Sequence, residues 1–237
     1  MKRVPSKTPN LRFPISYTAG GVGGYKGHKY QNSQFAGYYA GKHEHTLARR
    51  ISNWRERRIM AKALRCLAPF DSVLDLPSGT GRFFPVIASF ETFLLAADRS
   101  ADMLIAGQRY DMQLGVCPLR FVASAFGIPL PDNSVDVAFC ARFIHHLPDS
   151  RGRIRLLREI ARIARKGVVI SFFDSDTFKH RRRQRKQRRE GKIGNRHAIT
   201  RDEMINEASQ AGLNPLEFFA LLPHYAELTA LALRLES

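Results

Sequence analysis

The sequence predicts an α/β fold, a doubly wound and mostly parallel sheet, and three observations carry that prediction. From residue 46 onward, short apolar segments alternate with helical patterns, and strands spaced in this way imply βαβ units around a parallel sheet. The first segment, "VLDLPSGTGRF" at 73–83, runs from an apolar strand through Asp75 and then turns through Gly79 and Gly81. The second, "TFLLAAD" at 92–98, also ends in an acid, Asp98, 17 residues past Gly81. Ligands of open α/β sheets bind beyond the carboxyl ends of the strands, which is where these acids and glycines fall.

Each element has a local reason. The helix expected from about Thr46 sets Met60, Ala63, Leu64 and Leu67 on one face and Arg55, Arg58, Lys62 and Arg65 on another. "SVLDL" at 72–76 is the first strand, and a helix follows the glycines. Ser100 is placed to cap the next helix, "ADMLIAGQRY". "LRFVAS" at 119–124 reads as a third strand, and "VDVAFCA" at 135–141, after the turn signal "PDNS", as a fourth. Asp149 or Ser150 caps a helix over 151–166, and "GVVISFFD" at 167–174 is the fifth strand. "TRDE" at 200–203 fits a capping box, and Gly212 ends that helix.

Composition sets bounds on partners and compartment. The 237 residues suffice for one substantial core with appendages: a Gly/Tyr-rich basic arm over 1–45, then a domain over 46–237 with a basic insertion at 179–196. No apolar run approaches the ~20 residues of a membrane span. The basic N-terminus lacks the apolar core of a secretory signal. Cys66, Cys117 and Cys140 are scattered and form no CxxC pair, so a reducing, cytoplasmic setting without structural zinc is expected. The net charge of +17 argues for anionic partners rather than for a fold.

A dinucleotide fingerprint needs a third glycine, and Phe84 stands in its place. The pattern D-x-x-x-G-x-G, with a second acid after the next strand, resembles instead the first motif of the class I S-adenosylmethionine (SAM)-dependent methyltransferases. The likeness is greatest to the UbiE-like (methyltransferase type 11) group, and it extends over about 70–220. "AADRSADML" resembles the ribose-acid segment, "VASAFGIPLPDNSVDVAF" the segment through strand four, and "ARFIHHL" the double-histidine segment after it.

The resemblance implies a Rossmann-like methyltransferase fold, SAM as cofactor and S-adenosylhomocysteine (SAH) as product. It places Asp75, Gly79 and Gly81 against the methionine part of the cofactor, Asp98 at the ribose and Met103 near the adenine. Pro77, Arg99, Ser124, Ala125 and Ala141 complete the implied cofactor set. Two of these depart from the family pattern. Pro77 replaces the first glycine of the motif and removes an N–H. Ser124 stands where relatives often carry an acid for the adenine amino group. These departures also motivate an alternative, a non-catalytic SAM- or nucleic-acid-binding protein on the same fold. A nicotinamide-cofactor oxidoreductase is a third reading, opposed by the missing glycine.

A sulfonium methyl is already activated, so catalysis is chiefly alignment, with a base needed only where the acceptor must lose a proton. His145 and His146 follow strand four, and they read either as a general base or acceptor contact, or as loop residues shaping the pocket. Arg142 can bind an anionic acceptor or pair with a nearby acid. "HEH" at 43–45 lacks a third ligand and predicts no metal site.

The segment 179–192 holds nine Lys/Arg against Glu190, about half of the net charge. Self-repulsion predicts an extended run until a polyanion binds. Arg181, Arg182 and Arg185 in it are candidate contacts to an anionic acceptor: RNA, a phosphorylated glycolipid or metabolite, or an anionic lipid headgroup at the inner membrane, where the protein would sit peripherally. Tyr17, Tyr25, Tyr38, Tyr39 and Trp54 can stack on bases or pack on the domain. A second stripe, Arg151, Arg155, Arg158, Arg162 and Arg165, reads as a solvated helical face or as part of the same basic surface.

Overall fold

The computed structural model describes residues 46–108, 111, 115–191 and 196–236. The arm over 1–45, with Tyr17, Tyr25, Tyr38, Tyr39 and "HEH", lies outside the described residues, as do Tyr110 and Lys192. One seven-stranded sheet organises the rest, in the order β3-β2-β1-β4-β5-β7-β6. The strands are β1 (Ser72–Asp75), β2 (Phe93–Asp98), β3 (Leu119–Val122), β4 (Val135–Cys140), β5 (Ala164–Phe173), β6 (Leu213–Ala220) and β7 (Leu228–Leu235). The first five are parallel, while β7 runs antiparallel to both β5 and β6. A connection of only 221–227 joins β6 to β7, which suffices for an antiparallel pair but not for a parallel crossover.

Alternate side chains of the central strands enter opposite faces of the sheet. Val73, Val137, Val169 and Ala230 pack with Met60 and Leu64 of α1 (Leu47–Arg65) and with Phe84 and Ile87 of α2 (Phe84–Ala88). Leu74, Ala138, Val168 and Leu231 pack with Leu156, Leu157 and Ile160 of α4 (Ser150–Ile163) and Met204 of α6 (Arg201–Ser209). Helix α3 (Ala101–Gln108) packs along β2 and β3, and α5 (Phe178–Glu190) follows β5.

The helix starts follow the capping chemistry. Thr46 accepts from the Arg49 N–H, Ser100 Oγ from Met103 N–H, and Asp149 from Gly152 N–H. Thr200 and Glu203 close a reciprocal capping box. Gly212 takes the left-handed conformation, φ +71°, two residues beyond the C-cap Gln210.

Two expectations are corrected. Strand β5 begins at Ala164, not 167: Arg165 bonds Asp136 and Ala164 pairs with Val135, so basic residues that resemble a last helical turn run along the sheet. Within β5, a Cβ on Gly167 would meet the Leu233 carbonyl oxygen at 2.2 Å, so the close approach of β7 requires a glycine. The basic run is the second correction. Over 178–190 it is a helix, because Arg183 and His180 anchor on Glu227 and the backbone N–H groups of Phe178 and Lys179 donate to His224 and Tyr225. That inner attachment supplies what self-repulsion was expected to defeat. The second stripe is the solvated face expected of it, with Arg151, Arg155, Arg158 and Arg165 exposed. Some of its cations also tie α4 to its neighbours: Arg162 bonds Glu159, Asp132 and two carbonyls, Arg158 bonds the Gln210 carbonyl, and Arg155 lies over the Phe126 ring.

Candidate functional site

A solvent-open cleft of about 1130 Å³ lies at the carboxyl ends of β1, β2 and β4. Its floor is the loop after β1. The Leu76–Pro77 peptide is cis, and the chain stays tied on both sides of the proline: Leu76 N–H donates to Phe139 O and Ser78 N–H to Ala97 O. The N–H that Pro77 lacks is therefore not needed to hold the loop. Gly79 (φ +56°) and Gly81 (φ +77°) supply left-handed turns. A Cβ at Gly81 would come within 2.4 Å of the Phe84 ring, so that glycine serves the packing of α2 beneath the loop.

Asp98 ends β2 facing this loop. Its carboxylate accepts from Gly79 N–H at 2.9 Å and from Ser100 N–H at 2.8 Å. Burial raises its pKa, and these backbone donors oppose the rise. A carboxylate offers about four acceptor positions, so acceptor capacity remains beyond the backbone donors for a ligand hydroxyl. Met103, Arg99, Ala123, Ser124, Ala125 and Phe126 continue the wall. Ser124 Oγ accepts from Phe126 N–H at 3.2 Å, keeping its own proton and a further lone pair available.

Asp75 and Gly81 do not line the cleft. Asp75 is fully buried and neither carboxyl oxygen has a hydrogen-bond partner. Burial first, and then the Asp98 charge, push its pKa well up. The stripped-down loop, the acid with spare acceptor positions and the apolar wall fit a nucleoside with a flat base and a diol.

The other end of the cleft is built by residues the sequence reading did not connect. Glu56 of α1 is completely buried and receives two arginines that line the cleft, Arg82 and Arg142. Arg142 binds it through two nitrogens, at 2.5 and 2.7 Å, while Arg82 also bonds Asn53 at 2.8 Å. Burial pushes the Glu56 carboxyl up, but the Arg142 and Arg82 guanidiniums outweigh that and hold it below its usual range. Arg142 sits at φ +56°, an unfavourable conformation for a side-chain-bearing residue. Its fork on Glu56 and its N–H on Ser171 Oγ, 2.8 Å, hold it there. Of the two expectations for Arg142, pairing with an acid is the one observed. Two guanidiniums on one carboxylate leave a single net positive charge.

The two histidines divide. His145 is buried, stacked on Phe173 at 4.2 Å, and does not line the cleft. His146 does line it, beside Phe143 and Arg142. Desolvation, with Arg196, His197 and Arg142 adding to it, lowers the His146 pKa, so the ring is neutral near pH 7. Arg181, Arg182 and Arg185 lie on α5 outside the cleft. Among the described residues there is no cluster of metal ligands, and no helix is long and apolar enough to cross a membrane.

Residues 74–172 match the family model described as a methyltransferase domain. That segment is similar to methyltransferase domains, and the sheet around it has the Rossmann-like fold of the class I methyltransferases. Over 124 residues the chain is 32% identical to a demethylmenaquinone methyltransferase of Corynebacterium urealyticum, covering 52% of this chain and 49% of that protein. It is 28% identical over 106 residues to the uncharacterized methyltransferase YcgJ of Bacillus subtilis, covering 44% and 40%. The chain thus spans about half the length of the curated relatives it matches. A solved magnesium protoporphyrin IX methyltransferase from Synechocystis with bound SAH shares the fold at TM-score 0.72 and 12% identity, covering 89% of this chain and 97% of that one.

Proposed function

We propose that the protein transfers the methyl group of SAM to a small acceptor carrying a planar, mostly apolar ring. The observation that carries the reading is the Asp98 carboxylate, bonded to the Gly79 N–H of the glycine loop and retaining acceptor positions toward the cleft. Asp98 would take the ribose hydroxyls, Met103 and Ser124 the adenine, and the Gly79 backbone the methionine part. The net positive charge of the Arg82–Glu56–Arg142 cluster suits the carboxylate end of that methionine. When bound, SAM supplies an activated methyl on a sulfonium, whose carbon–sulfur electron pair stays on sulfur as the methyl leaves.

The chain's own residues then orient the acceptor and move one proton. Phe126 and Phe143 give the acceptor end flat apolar walls. A neutral His146 can take the proton that an acceptor hydroxyl or ring carbon loses. His145, packed on Phe173, orients the turn that carries His146.

A quinone ring fits this end, and the demethylmenaquinone methyltransferases among the relatives support the same class. The porphyrin of the Synechocystis methyltransferase is also a planar ring. RNA or a phosphorylated glycolipid as acceptor has less support. The charge that suggested them is on α5, while the cleft's own arginines share a buried carboxylate. Titration calorimetry tests the reading: SAH binds in the micromolar range while NAD gives no heat. Binding of NAD but not SAH contradicts it.

A further inference from the structure

We infer that α5, together with Phe178 and Tyr225 at its start, is a docking face for an anionic lipid bilayer. The inner side of α5 is spent on Glu227, which takes Arg183 at 2.7 Å and His180 at 3.3 Å. At 3.6 residues per turn, Arg181, Arg182, Arg185, Lys186, Arg188 and Arg189 fall on the opposite arc, and all six are exposed. Among the described residues, of these six only Lys186 meets an acid, Glu190, across 3.6 Å at the surface. Arg153, Arg155, Arg158 and Arg162 of α4, by contrast, are engaged by carboxylates, carbonyls and a ring. Among the described residues, charge on the outer face of α5 is therefore left without a matching acid.

Two aromatic residues accompany it. Phe178 is 56% exposed and Tyr225 46%, and their rings stack on each other with centroids 6.0 Å apart. On the helical wheel Phe178 lies at the middle of the cationic arc. The pair is fixed by the Phe178 and Lys179 backbone bonds to His224 and Tyr225. Each ring already covers one face of the other, which is poor geometry for taking a base between them. Amphipathic aromatic pairs beside cations suit the headgroup level of a bilayer. The shape agrees: cations spread over half the circumference of a rod ~20 Å long present a convex face to a flat surface, not a groove for a strand. With no apolar stripe along α5, the helix would rest on the headgroups without inserting, so attachment is electrostatic and reversible.

The placement gives the contact a use. Helix α5 leaves the carboxyl end of β5, the edge on which the cleft opens. A bilayer held there would present a lipophilic acceptor close to the cleft mouth. That delivery rests on the function proposed above, whereas attachment itself does not.

Vesicle flotation of the full chain, without cofactor or acceptor, tests attachment and fails independently of the methyltransferase reading. The protein should float with vesicles containing phosphatidylglycerol, not with phosphatidylcholine alone, and salt should release it. R182E/R185E/R189E should lower partitioning at least about tenfold while SAH affinity and melting temperature stay unchanged. Phe178→Ser should weaken it less, at unchanged charge. Flotation of the triple variant like wild type, equal binding to neutral vesicles, or tighter binding to single-stranded RNA at the same salt overturns the inference.

Discussion

Replacing Asp98 by alanine abolishes SAH binding in calorimetry, with a loss of at least about a hundredfold, while the far-ultraviolet circular dichroism stays that of the wild type. Charge-assisted hydrogen bonds to ribose hydroxyls contribute about 1.5–3 kcal/mol each, and every ~1.4 kcal/mol is tenfold in affinity. The same carboxylate also accepts from Gly79 and Ser100 N–H, so its removal loosens the loop on which the methionine part would lie. The fold survives because Asp98 is at a strand end and the neighbouring ladder of β1, β2 and β3 does not depend on its side chain. Asp98→Asn retains acceptor capacity on one oxygen and falls between the two. Unchanged affinity in the alanine variant removes Asp98 from the ribose and with it the orientation of the ligand.

Replacing Glu56 by alanine has the second large effect, on stability and on the site together. The carboxylate is fully buried between two guanidiniums, and removing one partner of a buried pair leaves charge uncompensated at a cost of about 3–5 kcal/mol. Arg142 is partly solvated, with a side chain 31% exposed, so about 2–4 kcal/mol is expected here. Thermal denaturation reads this as a fall in Tm of about 5–15 °C. Because Arg142 has a left-handed backbone conformation held by this contact, its guanidinium should leave the cleft and SAH affinity should fall as well. Glu56→Gln keeps the shape and one acceptor oxygen and recovers part of the loss. The pair also links stability to pH. The folded carboxyl titrates below its ordinary value, so its contribution is complete above about 4.5 and disappears as the pH falls through the lowered value. Acid unfolding of the wild type should be steeper in this range than that of Glu56→Gln.

The readability of these features in the sequence differs for physical reasons. Asp75, Gly79, Gly81 and Asp98 could be placed because a strand end, a tight turn and a following strand are local events, each written within a few residues. The helix caps Ser100, Asp149 and Thr200 were legible for the same reason. Glu56 was not, because its partners lie 26 and 86 residues away. It did leave a signal: Asn53, Glu56, Met60, Ala63 and Leu67 follow helical spacing, so a carboxylate occupies the apolar face. A buried acid of that kind demands a cation from elsewhere in the fold. The helical state of 178–190 was hidden for a related reason: its anchor, Glu227, is 44 residues from Arg183, and local charge repulsion was the only term visible. His145 and His146 are adjacent in a single turn, and only the three-dimensional placement of Phe173 and the cleft separates a packed ring from an accessible one.

The most direct measurement is transfer of labelled methyl from SAM into an extract depleted of this protein and separated into RNA, protein, lipid-soluble and water-soluble fractions. The account predicts label in a lipid-soluble small molecule, with SAH formed in equal amount. It also predicts a rate that holds through neutral pH and declines on the acid side as His146 becomes charged, and His146→Ala should slow transfer without weakening SAH binding. Label confined to a nuclease-sensitive fraction would contradict the acceptor class, and absence of any SAH formation across all fractions would contradict catalysis itself.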